Sequence, residues 1–241
     1  MGCFVSRLRD SGKSIVLLSN IFKGDDSIPK FVKCPDAFAP LFEMAENTIS
    51  PFFEDFKRNP EEGNITVSSE RYVIYRGESM AIAMKEQLTS VLGPGAGVVI
   101  YQIGKATGAA DARYYFKKTG VQDPAQRLAM GPVSFALGGY ANVTILPESA
   151  PAPNDDFLLV YDHPNSYEAE AHLNAGISTE KPVDFLNAGY SAGWCSEAFG
   201  LKLEAKEITC KAMGDAQCRF VMAPGKRLRE RLKEIKAAYS I

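Results

Sequence analysis

The 241-residue sequence has only two histidines and one tryptophan, and it has no long hydrophobic run. The histidines, His163 and His172, stand beside no nucleophile motif, which leaves acyl-transfer catalysis without its parts. The longest apolar run, 157–161, is far too short to cross a bilayer. Charge of one sign is also missing: 27 basic residues face 29 acidic ones, and a formal charge of -2 offers no global attraction to nucleic acid. No direct nucleic-acid binding is expected. Five cysteines, Cys3, Cys34, Cys195, Cys210 and Cys218, are an odd number with no apolar secretory segment ahead of them. They read as reduced thiols of a cytoplasmic protein and not as a disulfide framework. Two glycine-bearing stretches fail as nucleotide loops. Gly12-Lys13-Ser14 has Arg7 where a phosphate loop needs its first glycine, and 93–97 follows a helix pattern instead of a strand. An enzyme is not expected.

What the chain does have is 46% hydrophobic and 23% charged residues, enough for one domain with a substantial core. The first residues, Met1-Gly2-Cys3-Phe4-Val5-Ser6, fit the myristoylation pattern, with Cys3 placed for a second acyl chain and Arg7, Arg9 and Lys13 for contact with an anionic surface. A lipid anchor at Gly2 and Cys3, on a flexible segment 1–36, would associate the protein with a membrane. Residues 37–58 are rich in phenylalanine and broken by Pro40 and Pro51, which predicts two short helical pieces packing on the body or on a second subunit. A hairpin is expected across Ser68 and Ser69, then helices at 79–92 and 98–116, the second with Gly104 and Gly108 on a small-residue stripe. Strands at 142–146 and 157–161, helices at 166–175 and 183–199, strands at 203–210 and 218–222 and an amphipathic docking helix at 226–241 complete a mixed α+β pattern with an antiparallel sheet. A domain over 59–224 is thus flanked by a packing segment and a C-terminal helix.

One constellation carries metal chemistry. Glu207 stands three positions before Cys210, and a turn through Met213, Gly214 and Asp215 returns Cys218. A carboxylate and two thiolates suit a borderline ion such as zinc, although two small residues buried on paired strands would give the same spacing.

Around it the sequence resembles a known family. The stretches 163–172 (HPNSYEAEAH), 188–200 (AGYSAGWCSEAFG) and 207–219 resemble the 4-vinyl reductase domain in the ligand-sensing region of bacterial activators of aromatic catabolism. Upstream, 59–63 (NPEEG), 70–72 (ERY), 104–111 (GKATGAAD) and Gly131-Pro132 resemble the sensor segment of the same proteins, in the same order. The resemblance implies a dimer that holds a small hydrophobic or aromatic molecule in a closed pocket beside a structural zinc. It places three zinc ligands on Glu207, Cys210 and Cys218 and the fourth on Asp184, where relatives have cysteine; Asp184, Cys195 or water could complete the set. The histidine and tryptophan that hold a phenol hydroxyl in relatives fall on Phe135 and His163. Loss of the first donor argues against a site built for phenol itself. Tyr101, Tyr161, Tyr167 and Trp194 are the expected apolar walls. His163, next to Pro164, could equally cap the following helix or lie exposed.

The resulting expectation is a stand-alone small-molecule sensor or carrier. The relatives couple sensing to an ATPase and a DNA-binding module; neither has a motif in these 241 residues, so the output is expected to pass through a separate partner. Two other readings stay open. The family's fold is similar to small subunits of a vesicle-tethering complex, which suggests a membrane-associated scaffold. Its name points to tetrapyrrole vinyl reduction, for which the chain offers no hydride-cofactor motif.

Overall fold

The computed structural model describes residues 31–241; the acylation positions Gly2 and Cys3 lie outside the described residues. The chain enters the fold earlier than its composition suggests. Val32–Lys33 (β1) pairs in parallel with a later strand, and Glu46 fixes it by accepting the Phe31 N–H at 2.7 Å. Residues 31–36 therefore belong to the framework instead of a flexible leader. Where two helical pieces were expected, one helix forms, α1 (Ala39–Glu54). Pro40 sits in its first turn, where no N–H is needed, and Pro51 lies in the last turn, so it frees only one carbonyl. Phe42, Ala45 and Ile49 form its buried stripe.

Three short strands follow: β2 (Phe56–Asn59), β3 (Asn64–Val67) and β4 (Glu70–Tyr72), an antiparallel meander of its own. The β3–β4 turn has both Ser68 and Ser69 at positive φ, 48° and 71°, as a two-residue hairpin requires. A π-helical turn at Ser79–Ala83 leads into α2 (Met84–Leu92), and Gly93 at φ 56° breaks the direction before α3 (Ala96–Thr119). Next comes α4 (Pro124–Leu137), for which the apolar periodicity gives no expectation. Its start is well marked, because Asp123 caps it by accepting the Gln126 N–H at 2.9 Å and Pro124 occupies the first turn.

The main sheet is built from β5 (Val143–Ile145), β6 (Leu159–His163), β7 (Leu203–Thr209) and β8 (Cys218–Pro224), in the order β1-β5-β6-β8-β7. All its pairings are antiparallel except β1 with β5. Between β6 and β7 run α5 (Tyr167–Asn174) and α6 (Phe185–Phe199), and α7 (Gly225–Tyr239) closes the chain. One face of the sheet packs on α1, α3, α4 and α6 to form the main core. The other face is covered by α7 through Leu158, Val160, Ile208, Val221 and Ile235.

Candidate functional site

The close approach of α3 and α6 sets the geometry of the site. A Cβ on Gly104 or Gly108 would collide with the carbonyls of Leu186 and Tyr190, and one on Gly189 or Gly193 would collide with those of Tyr101 and Lys105. Four glycines, two per helix, therefore let the backbones touch, and the small-residue stripe expected on α3 finds its match on α6. With α6 fixed at that depth, its opposite face presents Tyr190, Ser191, Trp194 and Cys195 toward β6 and α4.

These four residues enclose a cavity with Leu128, Gly131, Pro132 and Phe135 of α4, Val143 and Ile145 of β5, and Leu159, Tyr161 and His163 of β6. The period of two in β6 turns Leu159, Tyr161 and His163 inward while Val160 and Asp162 face the other side. Gly131 is needed because Trp194 lies flat against its backbone: the indole Nε1 would be 2.7 Å from a Cβ there, and it donates to the Arg127 carbonyl at 2.8 Å. The space enclosed is about 30 Å³, room for about one or two water molecules.

Two polar groups, His163 and the Tyr161 hydroxyl, stand in this apolar shell. His163 is fully buried, with ring centroids 5.3 Å from Phe135, 5.2 Å from Tyr161 and 4.4 Å from Phe220, and neither ring nitrogen forms a hydrogen bond. Burial pushes its pKa down to about 3, so the ring is neutral, with one nitrogen to donate and one to accept. It is neither a helix cap nor exposed. Leaving such nitrogens unpaired costs about 1–3 kcal/mol each. The Tyr161 hydroxyl is also buried, with the Ser191 hydroxyl as its polar neighbour. The Cys195 thiol is also in the wall, and burial holds its pKa up to about 12, so it stays protonated.

Four of the six wall residues expected from the sequence, Phe135, Tyr161, His163 and Trp194, converge here. Tyr101 and Tyr167 do not. The Tyr101 hydroxyl donates to Glu204 Oε2 at 2.6 Å and accepts from the Ala205 N–H at 3.0 Å, on the far side of α6. Tyr167 packs edge-on against Tyr140, 6.1 Å between centroids, outside the cavity. Tyr190 and Ser191 join the wall without having been expected there, although they stand four and three positions before Trp194 and share its helical face. Tyr190 rests its ring on Phe135 at 5.1 Å and donates its hydroxyl to Asp111 at 2.8 Å.

A second cluster lies where the β7–β8 hairpin meets the start of α6. Glu207, Cys210 and Cys218 are buried and bring one ligand atom each within 4.8 Å of one another. The hairpin shapes this arrangement: Asp215 accepts the Cys210 N–H at 2.8 Å, Gly214 turns the chain at φ 95°, and the Lys211 N–H points at the Cys218 sulfur at 3.4 Å. Asp184 abuts the group, its N–H donating to Glu207 Oε2 at 2.9 Å. Its own buried carboxylate lies beside Ser166, the Ala169 backbone and Cys218, and that of Glu207 beside Cys210, though the three ligand atoms that converge are those of Glu207, Cys210 and Cys218. Cys195 belongs to the cavity wall and is not in this cluster. Burial raises Asp184 to about 7, and burial together with Asp184 raises Glu207 to about 11. The sulfurs, 4.0 Å apart, share a proton: the hydrogen bond from Cys218 lowers Cys210 to about 5, and the same bond with burial raises Cys218. Glu168, not singled out in the sequence, anchors the adjoining helix start by accepting the N–H groups of Leu186 and Asn187.

Comparison with known proteins adds an independent view. Residues 52–148 match the family model described as activator of aromatic catabolism, and residues 164–224 match that of the 4-vinyl reductase domain. The phenol regulator MopR of Acinetobacter guillouiae is 26% identical over 121 residues, 50% of this chain but 22% of that regulator, so the match spans about a fifth of the relative's length. The phenol-responsive sensory domain of the transcription activator PoxR, solved with phenol, shares the fold at a TM-score of 0.66 and 19% identity, covering 79% of this chain and 94% of that one. A trafficking protein particle complex subunit 3 from Naegleria fowleri, covalently bound to palmitic acid, is at a TM-score of 0.44 and 13% identity, covering 61% and 93%. The chain carries a 4-vinyl reductase domain, preceded by a segment of the activator-of-aromatic-catabolism type, and together these resemble the aromatic-sensor region of such activators.

Proposed function

We propose that this chain is a small-molecule sensor or carrier whose closed cavity takes an apolar ligand bearing one hydrogen-bonding group, and that it is not an enzyme. The observation that carries the reading is the fully buried His163, whose two ring nitrogens have no partner in an otherwise apolar enclosure. A ligand hydroxyl or carbonyl would satisfy a donor or acceptor there, while its body would meet Phe135, Leu128 and Trp194. Phe135 supplies no donor of its own, which favours a less polar ligand than phenol. Because about 30 Å³ cannot hold an aromatic ring, the ligand binds only a state in which the walls have moved apart. Binding is thereby tied to a change of shape, which is what a sensor needs.

The donor set of Glu207, Cys210 and Cys218 fits zinc, with the neighbouring Asp184 as the fourth ligand, and the convergence of one carboxylate oxygen and two sulfurs within 4.8 Å of one another supports the assignment. An ion bound there would cross-link the β7–β8 hairpin to the start of α6 and offset buried negative charge. The dimer reading is supported by three consecutive apolar residues on the outside, Val73, Ile74 and Tyr75, each more than 60% exposed. No helix among the described residues is long and apolar enough to cross a membrane. Membrane association would come through acylation of Gly2 and Cys3, and the output through a separate protein.

Native mass spectrometry on protein from its own cells, before and after denaturation, tests these statements together. A dimer with one zinc per chain and a small organic mass is expected, with an acyl increment on the denatured chain. A chain without ligand or metal overturns the sensor reading and leaves an interaction scaffold.

A further inference from the structure

A second, larger recess lies outside the closed cavity. It measures about 460 Å³ and opens between the first turns of α3, the start of α6 and β7. That size falls in the range of small-molecule sites, about 300–1,000 Å³. Its walls are Val98 and Tyr101 on one side and Phe185 and Ala188 on the other. Phe185 is held over Gly97, where a Cβ would stand 2.8 Å from its ring, so the wall is fixed by packing.

The charge at the mouth is of one sign. Lys181 and Lys206 both line the recess and are exposed, and neither ammonium has an ion pair or hydrogen bond among the described residues. The neighbouring carboxylate, Glu204, is already held by Lys105 at 2.6 Å and by the Tyr101 hydroxyl at 2.6 Å. Asp184 and Glu207 contribute to the floor, although they are only 1% and 5% exposed. An apolar slot with two uncompensated cations at its rim is complementary to an amphipathic anion.

We propose that this recess is a second ligand site, distinct from the closed cavity, for a small carboxylate with an alkyl or aryl body: the body between Val98 and Phe185, the carboxylate between Lys181 and Lys206. The recess shares no residue with the closed cavity, so its test is separate from that of the cavity ligand.

Isothermal titration of the full chain with octanoate, and with octanol as the neutral counterpart, tests the proposal. Saturable octanoate binding is expected, weakened at least about tenfold, or about 1.4 kcal/mol, both for octanol and in the Lys181→Glu/Lys206→Glu variant. Val98→Asp, on an exposed position, should also abolish binding while circular dichroism shows an unchanged fold. Octanoate binding that survives the double charge reversal, equal binding of octanol, or no saturable binding up to about 10 mM octanoate would each overturn the proposal.

Discussion

At His163 the demands of stability and of recognition point in opposite directions. A neutral imidazole with both nitrogens unpaired in the core is a burden to the folded state, and an apolar side chain of similar size would relieve it. His163→Leu is therefore expected to raise the melting temperature by a few degrees, since about 1 kcal/mol corresponds to about 2–4 °C in a chain of this size. The same variant should weaken a hydroxyl-bearing aromatic ligand about tenfold and leave toluene unaffected, read by quenching of Trp194 fluorescence. A variant that loses stability and keeps its affinity would show the imidazole to be a packing residue.

The acidic cluster gives a second test at the same scale. Asp184 and Glu207 have pKa values raised above their ordinary 3.8 and 4.5, to about 7 and about 11. In metal-free protein the folded state binds protons that the unfolded chain has released, so these groups favour folding at low pH and that contribution is lost as pH rises. Cys210, lowered to about 5, and His163, lowered to about 3, act in the opposite sense, so the contribution of the cluster is read against a variant. Between pH 5 and 7 chelated wild type should lose more thermal stability than chelated Glu207→Gln, and zinc should restore it; identical profiles would argue against the cluster. The cluster was legible because its three residues lie within one hairpin. The cavity was half legible: Phe135 and His163 were found through resemblance, whereas Tyr101 and Tyr167 were placed in the wall by residue type alone. Aromatic character does not say which face of a helix or strand a residue takes, and helical spacing from Trp194 would have chosen Tyr190 instead.

Among the elements, the α3–α6 contact is the joint on which the cavity depends. Gly104, Gly108, Gly189 and Gly193 each face a carbonyl of the opposite helix, so even a methyl group forces the pair apart. Gly189→Ala or Gly104→Ala is expected to destabilise the protein by about 1–3 kcal/mol, measured by urea unfolding, despite the better helix propensity of alanine. Long periodic segments such as α3, α6 and α7 could be read from the sequence because their apolar faces repeat over several turns. The edge strand β1 could not, since two residues carry no period and its partner lies more than a hundred positions away. Reading α1 as two pieces gave too much weight to Pro51, which breaks little when it sits in a last turn. The unexpected α4 had its signal in Asp123-Pro124, a cap followed by a proline, rather than in periodicity.

For the molecule as a whole, the uncovered surface is uneven. Of the large apolar residues that stand well exposed, Val73, Ile74, Tyr75, Val91, Leu92, Val98, Val99 and Ile103 all fall between β4 and the middle of α3. If the run Val73-Ile74-Tyr75 closes a dimer, Ile74→Asp with Tyr75→Asp should halve the mass seen by light scattering and leave the circular dichroism spectrum unchanged. A wild-type monomer would remove the dimer from the account.

The two sides of β6 see different neighbours. Tyr161 and His163 touch the cavity, while Asp162, between them, grips Arg219 through two hydrogen bonds of 2.7 and 2.9 Å. The Arg219 guanidinium lies 3.9 Å above the Tyr239 ring, near the end of α7, and the Tyr239 hydroxyl is held by Glu148 at 2.8 Å. A strand one residue thick thus stands between a space that must widen and a helix that faces outward. Like the skin of a drum, it has no way to yield on one side and stay still on the other.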